Sequence, residues 1–357
     1  VVARAAATEA ARRLDPGVVD ALSDAGLFHM LMPESLGGLG LPMHDALLVL
    51  ETISAADGST GWCLLKGAAS SMMAGYLPAD VAAEVQPDRS TRVAGNFNPG
   101  RGTARPVDGG FVLSGRWDWA TGVHHASWFI AGALAQGETP HPIALWVPTS
   151  SLDVLDTWHS PGMTGTGSTD VVATEVFVPE RFAFAGMMAA PQVADPLYAV
   201  PYGAQVMVPH GALAIGIAQG AIEAFIALAG DKTPLNATGA LAGRPTAQDA
   251  LGRALGAVRS ARAYLYAAVA AAWTPVDAPD PATWLDLSLA CTQATSLSLE
   301  AVDALHAAAG GTVAQGAHPI ARAFRDLHVA ASHYTVSTER FAGAGRVALG
   351  LAPSPLA

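Results

Sequence analysis

Residues 110–122 read Gly110-Phe111-Val112-Leu113-Ser114-Gly115-Arg116-Trp117-Asp118-Trp119-Ala120-Thr121-Gly122, a strand that runs into a turn. Aromatic and β-branched residues fill its first half, and Asp108-Gly109-Gly110 just before it is a hairpin signal. Working outward, 128–133, 143–147 and 171–178 carry the same texture, broken by Gly, Pro and Asp. Together they predict a small antiparallel β domain rather than a βαβ series. No Gly-x-Gly-x-x-Gly follows a strand and opens a helix, so a Rossmann dinucleotide site is not expected.

Both flanks of this β region read as helical. On the N-terminal side Leu14, Val18, Leu22 and Ala25 recur at helical spacing, and Gly26 is a natural stop. The Pro- and Gly-rich run 33–40 is a loop, 45–55 is a helix, and Asp57-Gly58-Ser59-Thr60 caps an apolar helix over 61–77. On the C-terminal side four Ala-rich segments, 206–229, 247–273, 282–309 and 319–349, suggest a bundle. The expected organisation is a mostly α chain with a central β domain: an N-terminal helical domain over 1–92, a middle β domain over 93–190 and a C-terminal four-helix bundle over 191–357.

The 357 residues carry a formal net charge of −11, with 51% hydrophobic and only 14% charged residues. That balance offers no clustered Lys and Arg for a nucleic acid or an anionic membrane. The low charge share suggests covered subunit faces, and a homo-oligomer, a tetramer by preference, is expected. Cys63 and Cys291 stand alone among apolar neighbours and read as free buried thiols of a reducing cytoplasm. No run of ~18 uninterrupted apolar residues marks a membrane span; the apolar stretch 212–229 is interrupted by Gln219 and Glu223. The chain starts without Met and inside a helical pattern, so its natural start is expected upstream.

The helical, β, helical order and four segments of sequence resemble the acyl-CoA dehydrogenase superfamily along nearly the whole chain. Pro33-Glu34-Ser35-Leu36-Gly37-Gly38-Leu39-Gly40 is similar to the family's loop after the first helices. Residues 110–122 are similar to its flavin-facing strand and turn. Arg325-Asp326-Leu327-His328 resembles the Arg-Asp opening of its last, active-site helix. The most specific piece is Asp156-Thr157-Trp158 with Gly162-Met163-Thr164-Gly165-Thr166-Gly167-Ser168, which resembles the signature of the family's two-component monooxygenase branch. That branch takes reduced FMN or FAD from a separate reductase and forms a C4a-hydroperoxide with molecular oxygen. Reduced FMN is the expected cofactor here, with FAD as the alternative.

The resemblance places individual residues. Gly167 and Ser168 would offer backbone N–H groups and a hydroxyl to flavin heteroatoms, since glycine lets a planar ring approach the backbone. Trp119 and Thr121 would lie against the ring, and Asn96 could present its amide. Arg244 and Arg262 would reach cofactor phosphate, for which a guanidinium is geometrically suited. Dehydrogenases of the family carry a Glu where Tyr334 stands here, or alternatively near His210; neither is a carboxylate, so an α-proton would lack a strong base. His333 matches the histidine that the oxygenases use beside the flavin and is the expected proton-handling residue. Oxygenase relatives often carry a second His where Ser70 stands. Ser70, Met73, His210 and Tyr334 are expected to line the substrate pocket. His124-His125 invites a metal reading, but adjacent strand residues point to opposite faces, and no metal is expected.

The expected function is therefore a reduced-flavin monooxygenase acting on an apolar small organic molecule. An acyl-CoA dehydrogenase and a catalytically idle relative of the fold are the competing readings.

Overall fold

The computed structural model describes residues 1–186, 189–273 and 281–352. Five helices come first: α1 (Ala5–Ala11), α2 (Pro16–Asp24), α3 (Met43–Ala56), α4 (Gly58–Ser71) and α5 (Ala79–Val85). Local chemistry sets their ends. Asp15 caps α2 by accepting from Gly17 N, with Pro16 at the first helical position. Asp57 caps α4 through Thr60 N. Helix α4 ends at Ser71, earlier than its sequence pattern suggests, and the chain tightens into a 3-10 segment, Met72–Tyr76.

The middle of the chain is one eight-stranded sheet. Its strands are β1 (Val93–Asn96), β2 (Gly102–Val107), β3 (Gly110–Trp117), β4 (Trp128–Ala135), β5 (His141–Pro148), β6 (Asp153–Leu155), β7 (Asp170–Pro179) and β8 (Ala183–Phe184). The order is β6-β7-β3-β2-β4-β5-β8, with β1 also on β4. The hairpin between β2 and β3 closes as its sequence predicts, Val107 pairing with Gly110 and Gly109 taking the left-handed φ of 75°. The sheet is not purely antiparallel: β1 and β2 both run parallel to β4. The alternation signal could not show this, because alternation within a strand does not encode which way its partner runs, and β1 is only four residues long.

The C-terminal helices are α6 (Tyr202–Asp231), α7 (Pro245–Ala272), α8 (Pro281–Ala309), α9 (Pro319–Ala331) and α10 (Glu339–Ala348). Helix α6 is long and apolar enough, by length and composition, to cross a membrane. Here its apolar side chains are spent on protein: α6 packs on α8, α3, α9 and α7, with Val208, Ala212 and Ala218 fully buried. Both cysteines are buried and free. The last predicted helix, 319–349, is broken in two. Ser332 caps α9, and His333 then turns extended (φ −71°, ψ 135°) with its side chain accepting from Thr335 N. A histidine that caps the next turn offers the backbone an alternative to continuing the helix.

Candidate active site

Two loops meet at the end of the sheet. One follows β3 and carries Trp119 and Thr121; the other joins β6 to β7 and carries Gly167 and Ser168. They are joined at the backbone, Ala120 N donating to Thr169 O at 2.7 Å. The second loop is pinned to α9. Met163 N donates to the Asp326 carboxylate at 2.6 Å, and a Cβ on Gly162 would lie 2.1 Å from Arg325 O, so only glycine fits there. Arg325 in turn bonds Gly316 O and pairs with Glu9. Burial drives the Asp326 carboxyl up to about 7. The Arg-Asp pair therefore locks the helix to the loop.

The hydroxyls between these loops form a chain whose direction the partners fix. Thr166 Oγ1 donates to Met163 O at 2.8 Å, so its one proton is committed. Ser168 Oγ, 2.7 Å away, must then donate to Thr166. Thr121 Oγ1, 2.7 Å from Ser168 Oγ, must donate to Ser168. Trp62 Nε1 on α4 donates to Thr121 Oγ1 at 3.2 Å. Thr121, Thr166 and Ser168 are all buried. Each hydroxyl has one proton and two lone pairs, so the chain leaves Thr121 and Ser168 with a lone pair each and no proton to offer. Trp119 is the opposite kind of residue. Its indole is 66% exposed, and its backbone sits at φ 58°, where a bulky side chain is strained.

Trp62 links this row to a cluster of nitrogens. Its ring makes edge contacts with the imidazoles of His210 and His333, at 5.3 and 5.4 Å between centroids. The two imidazoles stack on each other at 4.6 Å. Lys66 Nζ lies 3.0 Å from His210 Nε2 and 3.2 Å from His333 Nε2, and 4.6 Å from the Trp62 ring centre. Every residue of α4 except Lys66 is buried. Lys66 keeps some surface of its own, yet the atoms packed around it desolvate the amine and bring it down to about 7. Burial, then Lys66, also push His210 and His333 well below the usual imidazole range. Among the described residues no carboxylate acts on Lys66 or on either ring.

The sequence-based candidates thus fall into groups. Thr121, Gly167, Ser168 and Trp119 come together on the two loops, and His333 and His210 come together one indole away. Lys66, which no motif had singled out, completes that cluster; the available signal was a lone charge in an otherwise uncharged fourteen-residue helix. Ser70 is buried one turn further along α4, and Met73 is fully buried in the turn that follows. Tyr334 is 64% exposed and lies tilted beside His333 at 4.7 Å between ring centroids. Asn96 spends its amide on the backbone, donating to Asp118 O at 2.9 Å and accepting from Asn98 N at 3.0 Å. Arg262 is engaged elsewhere, paired with Glu51 at 2.8 Å and lying over Tyr266. Arg244 is exposed at the start of α7. His124 and His125 lie on a short 3-10 turn, not a strand. Their rings still diverge, His125 toward Phe28 and His124 beside Gly167.

Comparisons with known proteins place this geometry in a family. Residues 1–87 match the acyl-CoA dehydrogenase N-terminal domain and 208–338 the acyl-CoA dehydrogenase C-terminal domain. A pigment production hydroxylase of Rhodococcus sp. is 33% identical over 343 residues, covering 92% of this chain and 88% of the relative. The oxygenase subunit HsaA of a Mycobacterium tuberculosis flavin-dependent monooxygenase is 30% identical, over 94% of this chain and 89% of its own. The solved structure of XiaF from Streptomyces sp., in complex with FADH2 and glycerol, superposes with a TM-score of 0.90 at 26% identity, covering 99% of this chain and 92% of that one. The chain belongs to the acyl-CoA dehydrogenase superfamily and, within it, to the reduced-flavin-dependent monooxygenases.

Proposed function

We propose that the two loops hold reduced FMN with its ring against Trp119, that Thr121 and Ser168 accept hydrogen bonds from it, and that His333 moves protons beside it. The observation that carries this reading is the directed hydroxyl chain. A reduced flavin ring is richer in N–H donors than an oxidised one, and Thr121 and Ser168 offer lone pairs only. The exposed indole of Trp119 supplies an apolar face for a planar ring. These residues fit the cofactor. Bound there, reduced flavin supplies the two electrons that activate molecular oxygen.

The chain's own contribution is placement, exclusion of water and proton traffic. Asp326 and Gly162 fix the loop from the α9 side, so the hydroxyls are ordered before any ligand arrives. The buried walls around Ser70 and Met73 favour an apolar small organic substrate over a charged one. His333 and His210 are kept neutral by burial and by each other's company with Lys66, so they act as lone-pair bases rather than cations. We assign FMN over FAD, with a separate reductase as the electron source; Arg244 and Arg262 are proposed to meet cofactor phosphate only across a subunit boundary, in a cytoplasmic homotetramer.

The test compares flavin redox states. Wild-type protein should retain reduced FMN more tightly than oxidised FMN in anaerobic equilibrium dialysis, and Ser168→Ala should narrow that preference. Equal affinity for both states in the wild type would remove the acceptor-only hydroxyl chain from the argument. His333→Ala should lower product formation about a hundredfold while leaving flavin retention in place. Unchanged turnover would exclude His333 from the chemistry.

A further inference from the structure

The hydrogen bonds around Lys66 allow two proton arrangements, and only one of them suits a charged amine. His210 Nδ1 faces Met207 O at 3.3 Å, so that nitrogen carries the proton and Nε2 presents a lone pair to Lys66. His333 is different. Its Nδ1 lies 2.7 Å from Thr335 Oγ1 and 3.4 Å from the donating Thr335 N. With Nδ1 accepting, the neutral ring carries its proton on Nε2 and donates it to Lys66 Nζ, which must then be an amine with a free lone pair. With Lys66 protonated, the amine donates to both rings, so His333 Nε2 is bare and Nδ1–H donates to Thr335 Oγ1 instead.

We propose that Lys66 is a proton-storing positioning residue that sets which nitrogen of His333 is the donor and which the acceptor. The proposal rests on the oxygenase reading of the site, because it acts through His333. In the forward step solvent hydronium gives His333 a proton at Nδ1 and becomes water, and the ring passes its Nε2 proton to Lys66 Nζ, which becomes an ammonium. The Thr335 hydroxyl rotates from donating to accepting, one N–H bond forms on the ring, one breaks, and no electrons move. The reverse step restores the amine. The site so keeps one exchangeable proton next to the stacked imidazoles without charging either ring.

The surroundings suit this role. On the elements packed against α4, the groups that face Lys66 are His210 from α6 and His333 from the turn after α9. Arg340 from α10 acts on His333 and adds a second positive charge that opposes protonating the ring. Asp57 at the start of α4 accepts from Thr60, one Asp326 oxygen on α9 accepts from Met163 N, and neither carboxylate acts on Lys66. Burial leaves the amine close to the midpoint of its titration at neutral pH.

The test reads the ring directly. Long-range proton–nitrogen NMR of wild-type protein with labelled histidine should show His333 protonated on Nε2 at pH 9 and on Nδ1 at pH 6. Lys66→Met should abolish that exchange, and Lys66→Arg, which cannot release its proton, should hold the Nδ1–H form at both pH values. Lys66→Gln serves if Met is not tolerated. Stopped-flow mixing of protein loaded with chemically reduced FMN and aerated buffer gives the second readout. Its pH dependence should fall away in all variants, with Lys66→Arg about tenfold slowed at pH 9. A His333 tautomer that is fixed from pH 6 to 9 in the wild type, or that still exchanges in Lys66→Arg, overturns the proposal. If the tautomer switches as expected but the protein leaves FMN reoxidation unaltered, the failure lies with the monooxygenase site and not with Lys66.

Discussion

The hydroxyl row and the nitrogen cluster meet at one indole, Trp62, and are built on opposite principles. In the row, Trp62, Thr121, Ser168 and Thr166 satisfy one another in a fixed direction, and the last proton goes to a backbone carbonyl. Such a network is close to neutral for stability while complete. In the cluster, a desolvated amine meets two imidazoles with no acid in reach. Imidazole lone pairs and the Trp62 face offset a positive charge there only in part, so the charge is a standing cost to the fold. The contrast separates a preformed cradle from a group kept for what its proton can do.

The largest expected effect comes from relieving the cluster. Desolvation holds folded Lys66 at about 7, below its ordinary 10.5. A lowered folded value means that the unfolded chain binds more protons between these limits, so stability rises with pH from about 7 to 10.5, and the full cost is present below pH 7. The slope from this one group is at most about 1.4 kcal/mol per pH unit. Lys66→Met should remove that rise, leaving a protein more stable at pH 7 by a few kcal/mol, on the order of 2–4 once the two unpaired ring nitrogens are counted. Urea unfolding at pH 7 and pH 9 measures it. A variant less stable at pH 7, with the wild-type slope intact, would mean that the amine carries no such cost.

Breaking the row should cost the fold instead. Ser168→Ala leaves Thr121 without an acceptor and Thr166 without a donor, and should destabilise the protein by about 1–3 kcal/mol at every pH. Thr166→Val should do the same by leaving the Ser168 proton without its acceptor, while Met163 O keeps the Trp158 indole and Thr166 N as donors. Thermal unfolding of the two variants and their double mutant would show coupling well short of additive, since both act on one chain of bonds. Additive losses would mean that the hydroxyls are satisfied independently.

The two regions were also unequally legible in the sequence. The row lies on loops whose composition announces them: Gly, Thr and Ser between strands, and an aromatic turn after Trp117. Thr121 and Ser168 could be named from loop composition and resemblance because Thr121 closely follows the end of β3 at Trp117 and Ser168 just precedes the start of β7 at Asp170, neighbouring strands of one sheet. The cluster assembles from α4, α6 and the turn after α9, with Lys66 and His333 separated by 267 positions in sequence, and no local pattern records such a meeting. Ser70 stands where relatives often carry an imidazole, and the charge that the cluster uses sits one turn earlier on the same face of α4, at Lys66. The break of the last helix at His333 was hidden for another reason: the stretch is rich in helix formers, and what ends it is a side chain's choice to cap. The parallel pairings of β1 and β2 with β4 depend on long-range order that alternation does not encode.

The smallest expected effect on the fold tests the edge of the row. Trp119 contributes little to packing, because two thirds of its surface is open, and its left-handed backbone is a conformation that costs a non-glycine residue about 1 kcal/mol. Trp119→Gly removes the strain but adds chain entropy to the unfolded state, so the two terms nearly cancel and stability should move by less than about 1 kcal/mol. Flavin retention should respond quite differently. If the indole is the platform for the ring, its loss removes an aromatic contact and weakens reduced FMN binding about tenfold, with the hydroxyl chain intact beneath. A Trp119→Phe variant should recover most of the affinity, since a smaller aromatic face remains. Glycine and phenylalanine variants that both bind like the wild type would show that Trp119 meets another surface, and would leave the row as the sole anchor of the ring.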